Sequence, residues 1–199
     1  MSSTDNTRAD ASRTRLMQAA VTAFAERGFH GTSTRDIAAA AGMSPAAVYV
    51  HHRSKEELLY LISRIGHEHT LAVIRDAAGS ADDPADRLVA VMRAFALHHA
   101  REHTSARVVN YELNSLSPEH LSEIAALRRE IKNEMQALIQ QGVDAGAFDT
   151  SDPPKAAMAV LSLGIDIARW YREDGPWSPD EIADFYADLA LRIVGARRA

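Results

Sequence analysis

At 199 residues, 46% hydrophobic and 25% charged, the chain has the composition of a folded globular protein able to bury a substantial core. It has no cysteine, which excludes disulfides, thiol catalysis and cysteine-rich metal sites. No apolar run approaches the ~20 residues of a membrane helix, and the leading MSSTDNTRADASRTR has no signal-peptide core, so a cytoplasmic chain without membrane contact is expected. The formal net charge of −5 is unevenly spread. Residues 1–55 hold seven cations against four acids, whereas the remainder holds 15 against 23. A polyanion would attract the first part and repel the second.

Residues 1 to 9 show no apolar period and are expected to form a mobile arm, which Arg8 makes basic. From about Asp10 to Arg27, Leu16, Ala20 and Phe24 recur at four-residue spacing beside Met17 and Val21, the pattern of one helical face. Gly28 ends this helix, and Phe29 is the hydrophobic residue that folds back on its end.

Two short helices follow. Ser33 caps the first, with Asp36 at its third position completing a capping box, and Ile37, Ala40 and Ala41 share a face. Gly42 stops it, because a residue without Cβ enters the left-handed region cheaply. Ser44 caps the second and Pro45 takes its first position, where a missing N–H costs nothing. Ala46, Ala47, Tyr49, Val50 and His51 point outward from it. Such a pair, buttressed by the preceding helix, is a helix-turn-helix, whose second helix enters a DNA major groove. The Arg8 arm could then also reach DNA.

The stretch resembles the tetracycline-repressor (TetR) family of bacterial regulators. The resemblance is carried by Gly28-Phe29, Thr32 to Ala38, Ala41-Gly42-Met43-Ser44, Val48-Tyr49, and His51 followed by Ser54-Lys55-Glu56-Glu57-Leu58. It implies an all-α fold with a three-helix DNA-binding head over residues 10–55, an effector-binding and dimerisation body over residues 56–199, and a role in gene control. One departure is His52, where the family usually has Phe; looser packing under the second helix is expected there.

The body reads as further helices. Ser54 and Glu57 form a second capping box, opening a long linking helix to about Ala77 that carries Leu58, Leu61, Ile62, Ile65, Leu71 and Ile74. Asp83-Pro84, Ser117-Pro118, Asp152-Pro153 and Ser178-Pro179 each set a capping side chain before a proline. With a break near Thr104, about nine helices result. The helix over about 154–172 is apolar around most of its circumference and so needs cover on two sides. The last helix carries a stripe of Ile182, Phe185, Tyr186, Leu189 and Ile193 and is expected to pack beside it. Together these two are the expected homodimer surface, forming a four-helix bundle with a second copy; a hairpin internal to a monomer is the competing reading.

Ligand contacts are sought where polar side chains interrupt apolar helices. Arg107, Asn110, Tyr111 and Asn114 could line a cavity under the linking helix, and Asp166, Arg169 and Trp170 break the apolar helix before the last. For these three, intersubunit ion pairs and a core tryptophan compete with a ligand site. YELNSLSPEH, ALRREI and RWYREDGPWSP resemble TetR-type regulators of lipid and acyl-thioester metabolism, which implies an acyl-CoA-like or similarly apolar effector. His98, His99, Glu102 and His103 contain an i, i+4 pair able to begin a metal site, but spacing fixes no third ligand, so neither metal nor cofactor is expected. His67 and His69 cannot share a helical face and are expected at the surface. No phosphate loop or nucleophile elbow appears, and no catalysis is expected.

Arg35 is the leading base-reading residue, since guanidinium pairs bidentately with guanine, and the head motif carries that role over. Thr34, Tyr49 and Lys55 are expected to grip phosphates, Ala46 and Ala47 to pack on thymine methyls, and His51 to add a contact. An effector would tilt the linking helix and respace the heads of a repressor on a palindromic operator. The alternative function is a helical small-molecule or metal-binding module, or an enzyme, with a vestigial head.

Overall fold

Capping chemistry sets most boundaries in this computed structural model, which describes residues 3–196 apart from the side chains of residues 3–10 and of His51. Nine α-helices occur among the described residues: α1 (Ser3–Arg27), α2 (Thr34–Ala40), α3 (Pro45–His51), α4 (Lys55–Ala78), α5 (Pro84–Arg101), α6 (His103–Tyr111), α7 (Pro118–Asp144), α8 (Pro153–Trp170) and α9 (Pro179–Ile193). A 3₁₀ turn spans Leu113–Ser115. Ser44, Asp83, Ser117, Asp152 and Ser178 each accept a first-turn N–H before a proline at the helix start. Acceptor and ring together fix the chain's entry into the helix.

Local details differ from the sequence expectations in physically simple ways. The first helix begins at Ser3, so residues 3–9 are helical rather than a loose arm. A polar turn extending a packed helix leaves no apolar period to read; the side chain of Arg8 lies outside the described residues. Ile37 and Ala38 face the interior in α2, and Ala40 is exposed. Ser54 accepts from the Glu57 N–H as expected, but the Glu57 carboxylate takes the N–H of Arg53 instead of the cap residue's own. The break between α5 and α6 falls at Glu102.

Two of the cores position everything else. Leu16, Phe24, Ile37, Val48, Leu58 and Leu59 form the centre of the head, and Val108, Leu116 and Ile124 from the body complete it. The head therefore rests on α6 and the start of α7. Leu88, Met92, Phe95, Met135, Ile139, Val160 and Leu161 make the body core among α5, α7 and α8.

α4 belongs to both. At its head end, Glu56 accepts from the N–H of Ser117 and lies 2.8 Å from His120 Nδ1, while the Tyr60 ring stacks on His120 with centroids 3.8 Å apart. Tyr60 donates its hydroxyl to Glu123, which raises the phenol's pKa. At its far end, Arg75 pairs with Glu134 at 2.7 Å and Glu130 at 3.3 Å. Midway, Gly66 lets α6 approach: a Cβ there would lie 2.6 Å from Val109 Cγ2.

The last helix corrects a further expectation. α9 packs chiefly against α5 rather than beside α8, and its buried stripe is Ile182, Ala183, Ala187 and Ala190. Small residues allow that close approach, which leaves Phe185 63% exposed. Met158 and Leu163 on α8 and Trp177 before α9 are exposed as well.

Candidate nucleic-acid interface and ligand cavities

The head presents one face built by α2 and α3. The turn between them is a Schellman closure: Gly42 has φ 66°, its N–H reaches Ala39 O, and the Met43 N–H reaches Ala38 O at 2.9 Å. The Ser33 hydroxyl accepts from the Asp36 N–H, and the Asp36 carboxylate accepts from the Ser33 N–H at 2.8 Å. The Ser33 hydroxyl, which also donates to the Asp36 carboxylate at 2.6 Å, and then the Ser33 N–H hold that carboxyl below its ordinary pKa. Val48 is fully buried on the inner side of α3, while Tyr49 and Val50 are 59% and 79% exposed on the outer side. Ser44, Pro45, Ala46 and Arg35 are exposed with them, and Thr34 and Ala47 are half-buried. The Thr34 and Tyr49 hydroxyls meet at 3.2 Å, so the residue before Arg35 is tied to the outer face of α3.

Two residues singled out from sequence behave differently. Lys55 directs its ammonium inward, donating to Phe29 O at 2.7 Å and Thr32 O at 2.8 Å above the Phe29 ring. It clamps the α1–α2 loop, because two carbonyls and an aromatic face outcompete water for the cation. His52 is buried at the end of α3 and occupies the interior position itself, where its N–H closes the helix on Val48 O. His51 ends α3, with its side chain outside the described residues.

Two cavities flank α4 in the body. One, of about 360 Å³, is lined by Phe95, Ile131, Met158, Leu161 and Ile165, with Arg128, Arg129 and Lys132 from α7. The other, of about 520 Å³, lies under the head against Met17, Val21, Ile62, Ile65 and Glu102. Thr70, His99, Val109 and Asn110 line both. Each volume suits a small organic ligand.

Of the sequence-derived ligand residues, only Asn110 lines these cavities. Arg107 donates to Ala25 O at 2.7 Å and lines, with Tyr111 and Arg169, a smaller cleft of about 190 Å³ at the end of α1. Asn114 is exposed on the 3₁₀ turn. Asp166 and Arg169 pair within α8 at 2.7 Å, because i, i+3 spacing already brings them together. Asp166 also accepts from the Tyr111 hydroxyl at 3.2 Å, and its carboxyl is held low chiefly by Arg169. Trp170 stands edge-on to Trp177, and both line a surface cleft with Phe185 and Tyr186.

The histidines are the larger correction. His67, expected at the surface, is 3% exposed, and His99 is 2% exposed. Each sets Nδ1 against the carbonyl one turn back, Ser63 O at 2.8 Å and Phe95 O at 2.9 Å, so a local partner makes burial tolerable. Burial lowers His67, His98 and His99 to about 4, keeping all three neutral. Among the described residues no group of three or more His, Asp or Glu side chains is arranged to hold a metal ion. Sequence reasoning missed Arg128, although its place beside Ala125 and Lys132 on one face of α7 was readable from spacing.

An exposed, capped helix-turn-helix standing on a hollow helical body defines a DNA-binding regulator of the one-component type. Residues 16–60 match the model for bacterial regulatory proteins of the tetR family, and residues 81–194 match that for the tetracyclin repressor-like C-terminal domain. A crystallised bacterial regulatory protein in the tetR family from Rhodococcus RHA1 is 43% identical and superposes with a TM-score of 0.89, covering 94% of this chain and 98% of that one. The HTH-type transcriptional repressor KstR2 of Rhodococcus jostii is 29% identical over 181 residues, 90% of this chain and 89% of that protein. AibR, solved in complex with isovaleryl coenzyme A and operator DNA, shares the fold with a TM-score of 0.83 at 24% identity, covering 94% of this chain and all of that one. The chain belongs to the TetR family of transcriptional regulators. No helix among the described residues is long and apolar enough to cross a membrane.

Proposed function

We propose that the chain is a cytoplasmic, homodimeric repressor that binds a palindromic operator through residues 10–55 and is released by a small effector held within residues 56–199. It acts by binding and carries out no catalysis. The observation that supports this most directly is the placement of α4, whose first turn is fastened beneath the head and whose middle walls both cavities. The sequence likenesses and AibR, solved in complex with isovaleryl coenzyme A, support an acyl-CoA-like or similarly apolar effector.

Arg35 reads a base. Thr34 and Tyr49 grip phosphates as a hydroxyl pair, while Ser44, Pro45, Ala46, Ala47, Val50 and His51 shape the groove contact. Lys55 supports this surface from beneath. The second copy docks on α8 and α9, where Met158, Leu163 and Phe185 stand exposed.

A gel shift on a palindromic site over a salt series tests the reading. Affinity should fall linearly on a log–log salt scale, and sedimentation should give a dimer. Arg35→Ala should cost about 1–3 kcal/mol at one base position. Equal loss on every sequence removes the base-reading role, and a monomer indifferent to palindromic duplexes removes the whole proposal.

A further inference from the structure

The smaller of the two cavities beside α4 carries an unbalanced charge. α7 contributes Arg128, Arg129 and Lys132 to its lining, and the lining contains no aspartate or glutamate. Three of the acids of α7 are occupied elsewhere: Glu123 by Tyr60, and Glu130 and Glu134 by Arg75. Among the described residues, no ion pair within 4.0 Å joins any of the three cations to a carboxylate.

Arg128 is the centre of this imbalance. It is half-buried, and its guanidinium donates to two neutral acceptors, Asn110 Oδ1 at 3.1 Å and His67 Nε2 at 3.2 Å. His67 can accept there because its Nδ1 proton is directed at Ser63 O, 2.8 Å away. Burial lowers the pKa of Arg128, with no counter-charge acting against it. Next to this cation the wall becomes apolar, through Phe95, Ile131 and Leu161. A wholly apolar occupant would remove water from the guanidinium and give nothing back, which is costly.

We propose that Arg128, with half-buried Lys132 and exposed Arg129 beside it on α7, receives the anionic head of an amphiphilic effector whose apolar body lies against Phe95, Ile131 and Leu161. The proposal rests on the reading of this cavity as the effector site and gives that effector a chemistry: a carboxylate or phosphoryl group on a hydrocarbon body. Asn110 on α6 and His67 on α4 are positioning residues, since they hold the guanidinium toward the cavity. An arriving anion competes with His67 for the same N–H groups and so loosens the hold of α7 on the middle of α4.

Calorimetric titration of the full-length protein with dodecanoate, dodecyl phosphate and dodecanol, each below its micelle threshold, tests this. At least one anion should bind about 10- to 100-fold more tightly than the alcohol, the range of one to two charged hydrogen bonds. The stronger anion identifies the head group. Arg128→Gln should abolish the preference, Arg128→Lys should keep most of it, and Arg129→Gln, at the one exposed residue of the three where folding is not at stake, should weaken the anions alone. Equal binding of alcohol and anions, no binding of either anion, or an equal loss for all three ligands in Arg128→Gln overturns the proposal. Gel shifts on the same samples separate it from the broader reading: operator binding that persists while anion selectivity is absent sinks only the effector chemistry.

Discussion

Acidification from about pH 7.5 to about pH 5 should destabilise this protein well above the range in which its carboxylates titrate. His67, His98 and His99 are lowered from 6.5 to about 4, chiefly by burial. Charged or titrating neighbours add to the effect: Arg128 beside His67, His69 beside His98, and His98 and His67 beside His99. A depressed folded-state pKa means that the unfolded chain binds protons between pH 6.5 and about 4 while the folded chain does not. The stability is complete above pH 6.5 and is lost as pH falls toward 4.

At about pH 5 each such histidine costs about 2 kcal/mol. Three sum to at most about 6 kcal/mol, less where they share one repulsion, against roughly 5–15 kcal/mol for a whole domain. Urea denaturation followed by circular dichroism at about pH 7.5, 6 and 5 should show a steadily falling midpoint. Asp36, Asp152, Asp166 and Glu181, all exposed or half-exposed and all lowered, act below about pH 4.5 and leave this window to the histidines. His98→Gln should remove about a third of the slope. A midpoint constant across the window, or an unchanged slope in that variant, refutes the reasoning.

Gly66→Ala places a methyl 2.6 Å from Val109 and should wedge α4 from α6; a loss of about 1–3 kcal/mol together with weaker operator binding in the absence of effector is expected, from denaturation and gel shift on one sample. Gly42→Ala meets no atom within 4 Å, so its cost of about 1–2 kcal/mol is conformational alone, arising from φ 66°; a thermal midpoint equal to that of the wild type would contradict it. Lys55→Met removes the donor to Phe29 O and Thr32 O and should cost about 1–3 kcal/mol of stability. Its operator affinity should recover at low temperature, where the head refolds, whereas loss of a phosphate contact would persist and flatten the salt dependence.

What could be read from sequence follows the range of the physics involved. Caps, prolines and left-handed glycines act within four residues, and Ser33, Gly42, Ser44 and the five cap–proline pairs stand where they were expected. The face assignment held in α1, where Leu16, Ala20 and Phe24 are buried, but not in α9, where small residues rather than Phe185 take the interior. Long-range partnership was not legible. Lys55 looked like a free cation because its carbonyl acceptors lie 23 and 26 residues away. His67 looked like a surface residue because nothing local announces the closure of α6 and α7 over it. The placement of the sequence-derived ligand residues was only partly legible for a related reason: Asn110 lines both cavities, whereas Asp166 and Arg169, whose polarity on an apolar helix stood out, satisfy each other within one turn.

The fasteners of α4 differ in strength, and that difference bears on how a cavity can signal to a head. Glu56, Tyr60, Ser117, His120 and Glu123 form a partly buried cluster of three hydrogen-bonding interactions and one stacked pair at the head end. The pairs of Arg75 at the far end are exposed, where an ion pair contributes about 0–1 kcal/mol. Between the two, Arg128 holds His67 through a single neutral acceptor that a charged one would displace. An occupant of the cavity therefore works against the weak middle and the weak end of α4, leaving the cluster under the head intact. The head is then expected to move as a unit with the first turns of α4 rather than melt from them, which predicts that release from DNA follows from a change in the spacing of two intact heads.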